Sequence, residues 1–235
     1  AECISSSSSN MQSKLIYPYP VDNDDHCETP LDAYNHLVIL LEKLCEKLNK
    51  TKLELKIWDP FYCTGKMQEH LIKLGFNKNN IYNKCEDFYQ KIKIENGGPP
   101  EHDCIITNPP YSENHMESIS NYCYYSNIKA PISYDPMTTL GSAINKPCFI
   151  LMPSFVMLKQ YWINICNTKS YKLIINNNKY NSQSITFNNR ICYVAPRKRY
   201  QYSTPYGRRQ AKSGVKTSPF PSIWYCILDK ITNNS

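Results

Sequence analysis

At 235 residues with 41% hydrophobic residues, the chain suits one α/β domain with a sizeable core. No stretch approaches the ~18 apolar residues of a membrane span, and the serine-rich opening lacks the apolar core of a secretory signal. Eleven cysteines are scattered without a C-x-x-C pair and five histidines add no ligand spacing, so no metal site is expected and the cysteines read as reduced, mostly buried hydrophobes of an intracellular protein, nuclear or cytoplasmic. The net charge of +7 is divided: residues 1–135 hold 13 Lys+Arg against 19 Asp+Glu (−6), whereas 136–228 hold 13 Lys+Arg and no acid (+13). Such a basic portion is expected to face a polyanion, with nucleic acid the first choice.

Residues 1–13, with serines from Ser5 to Ser9, are expected to form a disordered tail, and the start at Ala1 rather than Met leads one to expect a fragment. Residues 14–235 are expected to form a single domain. Leu15 to Cys27 is a lead-in without period. Thr29-Pro30-Leu31-Asp32 then predicts a helix start, with Thr29 as N-cap and Pro30 at N1. Leu31, Tyr34, Leu37, Val38, Leu41, Leu44, Cys45 and Leu48 follow at helical spacing. Leu53–Trp58 predicts a strand running into Asp59-Pro60-Phe61-Tyr62-Cys63-Thr64-Gly65, and then a helix from Lys66 to Leu74 that ends at Gly75. A strand, a turn with small residues and a helix N-terminus make a nucleotide-sized pocket at the carboxyl edge of a parallel sheet.

Asn80–Tyr82 predicts another strand, followed by Glu86-Asp87-Phe88; only 21 residues separate Asp87 from Asn108, which points to a shortened strand–helix unit. After the Gly97-Gly98-Pro99-Pro100 turn, the apolar strand Asp103–Thr107 ends in Asn108-Pro109-Pro110-Tyr111. An exocyclic amino group on a conjugated system is a poor nucleophile because its lone pair is delocalised. Acceptors aimed at its N–H bonds, here the Asn108 side-chain oxygen and the Pro109 carbonyl, push it toward tetrahedral geometry. Pro109 and Pro110 lack N–H donors and fix φ, so the turn keeps its carbonyls free, and Tyr111 offers a face for a planar substrate.

Ser112 is expected to cap a helix over Glu113–Tyr125, and 127–146 reads as an insertion loop. Strands are predicted at Cys148–Met152, Tyr171–Ile175, Arg190–Ala195 and Ile223–Leu228, and a helix at Phe155–Cys166. Residues 196–220 form a basic, tyrosine-rich segment. Its Arg197, Lys198, Arg199, Tyr200, Arg208 and Arg209 are candidate nucleic-acid contacts, the cations for phosphates and the tyrosines for bases.

Asn108–Tyr111 resembles motif IV of the amino-type methyltransferases that use S-adenosylmethionine, which act on adenine N6, cytosine N4, guanine N2 in RNA or glutamine amides in proteins. Asp59–Gly65 resembles motif I of the same enzymes, Asp-Pro-x-x-Gly-x-Gly, with Cys63 in place of the first glycine. Thr29-Pro30 resembles the motif ahead of the cofactor loop in one permutation class of N6-adenine methyltransferases, where it contacts the amino-acid end of the cofactor. The closing Ser-Pro-Phe-Pro-Ser-Ile-Trp-Tyr run and the Tyr-Cys-x-Gly loop are similar to methyltransferase-like proteins of protists and algae. The resemblance implies a three-layer, Rossmann-like αβα sandwich. Its sheet would be mostly parallel and of seven-strand type, with Ile223–Leu228 as the antiparallel last strand. It implies S-adenosylmethionine as cofactor, held by Thr29, Asp59, Pro60, Phe61, Tyr62, Cys63, Gly65 and Asn108, with Asp87 and Phe88 at its adenine and Glu86 at its ribose. The implied activity is methyl transfer to an exocyclic amino nitrogen. Adenine N6 in RNA or DNA is the first choice because of the basic half. A protein glutamine amide as substrate, and a silent nucleic-acid-binding module for which Cys63 speaks, are the alternatives; a partner subunit is left open.

Overall fold

The computed structural model describes residues 17–19, 25, 27–125, 146–167, 191–203 and 220–228, and the backbone of 171–175 and 215–217. The expected tail at 1–13, nearly all of the 127–146 insertion, and Arg208 and Arg209 lie outside the described residues.

In chain order the elements are α1 (Leu31–Asn35), α2 (Val38–Leu48), β1 (Ile57–Trp58), α3 (Lys66–Lys73), β2 (Ile81–Tyr82), α4 (Phe88–Lys91), β3 (Cys104–Thr107), α5 (His115–Tyr125), β4 (Cys148–Pro153), α6 (Gln160–Asn167), β5 (Tyr171–Ile175), β6 (Ile191–Ala195), β7 (Gln201–Ser203), β8 (Val215–Thr217) and β9 (Ser222–Ile227). The main sheet runs β2-β1-β3-β4-β9-β6-β5. Every neighbouring pair is parallel except the two that β9 makes, with β4 and with β6. Ser222–Ile227 is thus antiparallel, as expected of the last strand.

Alternation along the strands divides the core between the two faces of the sheet. Cys104 and Ile106 of β3 and Phe149 and Leu151 of β4 pack with Leu37, Leu41 and Leu44 from the α1–α2 region and with Met67 and Leu71 of α3. Ile105, Cys148, Ile150 and Met152 turn the other way, onto Phe88, Ile119, Tyr122, Trp162 and Ile165 of α4, α5 and α6. Because both faces are covered, these strands read as unbroken apolar runs rather than alternating ones. Their carboxyl ends carry the loops that build the site.

Local expectations fail where a backbone group finds a better partner. Pro30 rather than Thr29 is the N-cap residue, and the long helix is divided at His36–Leu37 into α1 and α2. The Leu53–Trp58 strand shrinks to two residues because the Lys56 N–H donates to the Asp103 carboxylate at 2.8 Å instead of pairing in the sheet. Ser112 does not cap α5: its N–H donates to Asp25 at 3.0 Å, and the helix starts at His115 with the Asn114 carbonyl accepting from Ser118. The Phe155–Cys166 helix divides into a 3-10 stretch, Ser154–Leu158, and α6, since Lys159 is extended at ψ 138°. The shortened unit before Asn108 is present: between β2, an edge strand, and β3 lie only the four-residue α4 and a 3-10 turn. Among the described residues nine cysteines, six of them buried, are outside any disulfide; Cys85 is disulfide-bonded, against the expectation of reduced cysteines throughout. No helix among the described residues is long and apolar enough to cross a membrane, and no group of three or more His, Cys, Asp or Glu among them could hold a metal ion.

Candidate active site

A cleft of about 420 Å³ opens at the carboxyl ends of β1, β2 and β3. Three separate stretches singled out in the sequence meet there: Pro60, Phe61, Tyr62 and Cys63; Glu86, Asp87 and Phe88; and Asn108 with Pro110. The volume falls in the ordinary range of small-molecule sites, roughly 300–1,000 Å³. Phe61 and Phe88 stand 5.1 Å apart, and Phe88 lies 5.1 Å from Tyr89, so one side of the cleft is aromatic. Asp25, Glu86, Asp87 and Glu113 all line it, whereas among the described residues no lysine or arginine does, although Lys91 stands 3.6 Å from Glu86. Such a carboxylate-rich lining disfavours phosphate groups and favours a ligand that carries positive charge or donates hydrogen bonds.

The loop after β1 owes its shape to Asp59, Glu28 and Gly65. Asp59 is buried, and its Oδ1 accepts from the Phe61 amide at 3.1 Å and from the Thr107 hydroxyl at 2.6 Å. Burial lifts its carboxyl to about 7, although both hydrogen bonds pull the other way and nearby Glu28 adds to the rise. Glu28, also buried, accepts from the Thr64 amide at 2.6 Å and from the Thr64 hydroxyl. Gly65 sits at φ 88°, a conformation open to glycine, and a Cβ there would meet the Tyr62 hydroxyl at 3.1 Å. Among the described residues only Asn49 and Glu113 are non-glycines at positive φ, so Cys63 has an ordinary backbone. The missing first glycine therefore costs the loop no strain. What Cys63 does bring is bulk in the cleft, with its thiol kept protonated by burial and by Glu28.

Asn108 donates from Nδ2 to the Cys27 carbonyl at 3.4 Å, while its Oδ1 is buried with no hydrogen-bond partner among the described residues. A narrow cavity of about 20 Å³ behind the loop brings Asn108 together with Thr29, Asp59 and Gly65. Asn83, at the end of β2, lines the same cavity and also holds a buried, unpartnered Oδ1. Buried acceptors without donors are costly, about 1–3 kcal/mol each, which makes this corner a receptor for N–H groups.

The other predicted residues are placed less directly. Pro109 is buried and lines neither cavity. Tyr111 also lies off the cleft: it is half-buried, its hydroxyl points to the Leu151 carbonyl at 3.4 Å, and its ring is 5.8 Å from Phe220, which in turn is 5.2 Å from Phe155. Asp87 caps α4 by accepting from the Tyr89 amide, and Glu86 accepts from the Tyr82 hydroxyl at 2.8 Å. Sequence reasoning missed Tyr19, Asp25, Cys27, Tyr89, Ser112, Glu113 and His115, all in the cleft lining. Tyr19 donates to the Tyr62 carbonyl at 3.4 Å and Tyr17 to that of Cys63, so the lead-in packs over the loop. His115 Nδ1 is 2.7 Å from the Tyr89 hydroxyl.

Arg197, Lys198 and Arg199 are exposed and follow the carboxyl end of β6, on the same edge of the sheet as the cleft. Tyr200 and Tyr202 correct the stacking expectation: both are buried in the core, and the Tyr200 hydroxyl bonds His36 at 2.7 Å. The segment also contains a β7–β8 hairpin, joined to the site where the Glu28 N–H donates to the Ser203 carbonyl at 2.8 Å. No family model matches the chain, and neither a curated protein nor a solved structure matches it.

Proposed function

We propose that the chain transfers a methyl group from S-adenosylmethionine to an exocyclic amino nitrogen, adenine N6 of RNA or DNA before any other. The observation that carries this reading is the convergence of the three motif stretches on one carboxylate-lined cleft beside the unpartnered Asn108 Oδ1. The lining suits this cofactor: Phe61, Phe88 and Tyr89 for its adenine, Glu86 and Asp87 as acceptors for its hydroxyl and amino donors, and Asp59, Asn83 and Thr29 for the ammonium of its amino-acid end. When bound it would supply a methyl group on a positively charged sulfur, an electrophile for the amine lone pair with a neutral thioether as the leaving group. Asn108 Oδ1 accepts from an amine N–H bond and so localises that lone pair, preorganised for the positive charge that develops on nitrogen, whereas Pro109, off both cavities, serves to fix the turn. The amine proton then leaves to water. Tyr111, with Phe220 and Phe155, offers the planar substrate an aromatic wall off the cofactor cleft.

The seven-strand methyltransferase layout belongs to the same proposal. It is supported by the single antiparallel strand between β4 and β6 and by the position of β3, which ends in Asn108, beside β1, which ends in the cofactor loop. The exposed Arg197–Arg199 tract on the same sheet edge favours nucleic acid over a protein amide. Calorimetric titration of the full chain with S-adenosylmethionine tests the reading. Saturable binding is expected, and none for ATP, whose phosphates the carboxylate-rich lining disfavours. No heat at millimolar S-adenosylmethionine would leave a silent relative of the fold.

A further inference from the structure

A second hollow, of about 620 Å³, lies on the other side of the Cys27–Pro30 strip, whose Cys27, Glu28 and Thr29 face the cofactor loop and whose Pro30 faces this space. One wall comes from α1 and its flanks, with Pro30, Asp32, Asn35 and His36; the other is the run from Pro196 to Gln201. The floor is firm: His36 Nδ1 and the Tyr200 hydroxyl are 2.7 Å apart, their rings 5.7 Å apart, and burial lowers the His36 pKa against the opposing pull of Asp32. Arg197, Lys198 and Arg199 are exposed on one side, and Asp32 and Asn35 on the other. Cations for a phosphate, a slot between Pro30 and Pro196 for a ring, and two polar side chains for its edge make up the parts of a nucleotide pocket.

We propose that this hollow binds one nucleotide of the nucleic-acid substrate other than the methylated one, and that its base is guanine. The inference rests on the proposed nucleic-acid substrate. Asp32 is the selecting group. An ionised carboxylate only accepts, and guanine alone among the four bases presents two adjacent donors, N1–H and the N2 amino group, on one edge; the others set an acceptor beside each donor. Asn35 supplies a neighbouring amide for the same edge, and the Arg197–Arg199 tract takes the phosphate. Because β6 and β3 end on the same edge of the sheet, a strand crossing the Cys27–Pro30 strip reaches both sites.

The test is fluorescence anisotropy of the full chain without cofactor, using a labelled single-stranded oligo-adenine, the same oligonucleotide with one central guanine, and free 5′-GMP as competitor. The single guanine is expected to tighten binding about tenfold, in line with one bidentate contact. Asp32→Ala should bring the guanine oligonucleotide down to the all-adenine level, while Arg197→Ala with Arg199→Ala should weaken both alike. Equal binding of the two oligonucleotides, or a guanine preference that survives Asp32→Ala, overturns the proposal. So does competition by 5′-GMP as strong as by the oligonucleotide, which would make the hollow a mononucleotide site. A guanine preference without methyl transfer would remove the enzyme reading alone.

Discussion

Replacing Asp59 with asparagine separates the electrical role of this side chain from its role as a scaffold. The amide keeps an oxygen for the Phe61 amide and the Thr107 hydroxyl, which hold Asp59 at 3.1 and 2.6 Å, but it cannot ionise. In the wild type the carboxyl rises from 3.8 to about 7, chiefly through burial. The folded state therefore keeps a proton that the unfolded chain has already lost between those two values. Stability from this group is full below about pH 4, falls as pH rises toward 7, and stays low above it. A shift of about 3 units corresponds to about 4 kcal/mol, approached with a slope near 1.4 kcal/mol per pH unit. Urea unfolding of both proteins from pH 4 to pH 8 reads this directly, because groups common to both cancel in the difference. The variant should gain on the wild type steadily to about pH 7 and then level off. S-adenosylmethionine should bind the wild type more tightly at pH 8 than at pH 6, since its ammonium favours ionised Asp59, and the variant should lose that dependence. Identical pH profiles of stability would refute an Asp59 that is buried and protonated near neutrality.

Cys63→Gly should enlarge the cleft and strengthen S-adenosylmethionine binding several-fold in a calorimetric titration, at a stability cost of roughly 0.5–1 kcal/mol for the added backbone freedom; unchanged affinity would show that the thiol does not crowd the ligand. Replacing Arg197, Lys198 and Arg199 together with alanine should flatten the dependence of single-strand binding on salt by about one unit of slope per lost phosphate contact, and a wild-type affinity insensitive to salt would contradict the role of the basic tract. Tyr111→Phe should leave turnover within a few-fold of wild type. Tyr111→Ala should weaken base binding by about 1–3 kcal/mol in an oligonucleotide titration, and an alanine variant with full affinity would remove the aromatic wall.

The parts of the fold legible in the sequence are those fixed by short-range chemistry. Ile105, Ile106, Phe149 and Ile150 form unbroken apolar runs because β3 and β4 are covered on both faces. Gly65 announces its turn because the φ it adopts disfavours other residues. The site residues that stayed hidden act at a distance: Asp25 reaches the Ser112 amide across 87 positions, and Glu28 reaches Thr64 across 36. Nothing local distinguishes either acid from a solvated one. Tyr200 and Tyr202 misled for a related reason. In a strand-like run their period of two turns them inward while Arg199 and Gln201 stay exposed, so composition suggested stacking where alternation gives burial.

Transfer of labelled methyl from S-adenosylmethionine to separate RNA, DNA and protein pools, by wild type and by Asn108→Ala, tests the central claim most directly. The variant loses the unpartnered Oδ1 but keeps the prolines and the aromatic wall. Mass spectrometry should find N6-methyladenine in a nucleic-acid pool treated with the wild type. Asn108→Ala should bind cofactor and oligonucleotide but turn over about two to three orders of magnitude more slowly, as for the loss of one preorganised polar group. An Asn108→Ala protein as active as wild type, or label that appears in no pool, would contradict the account.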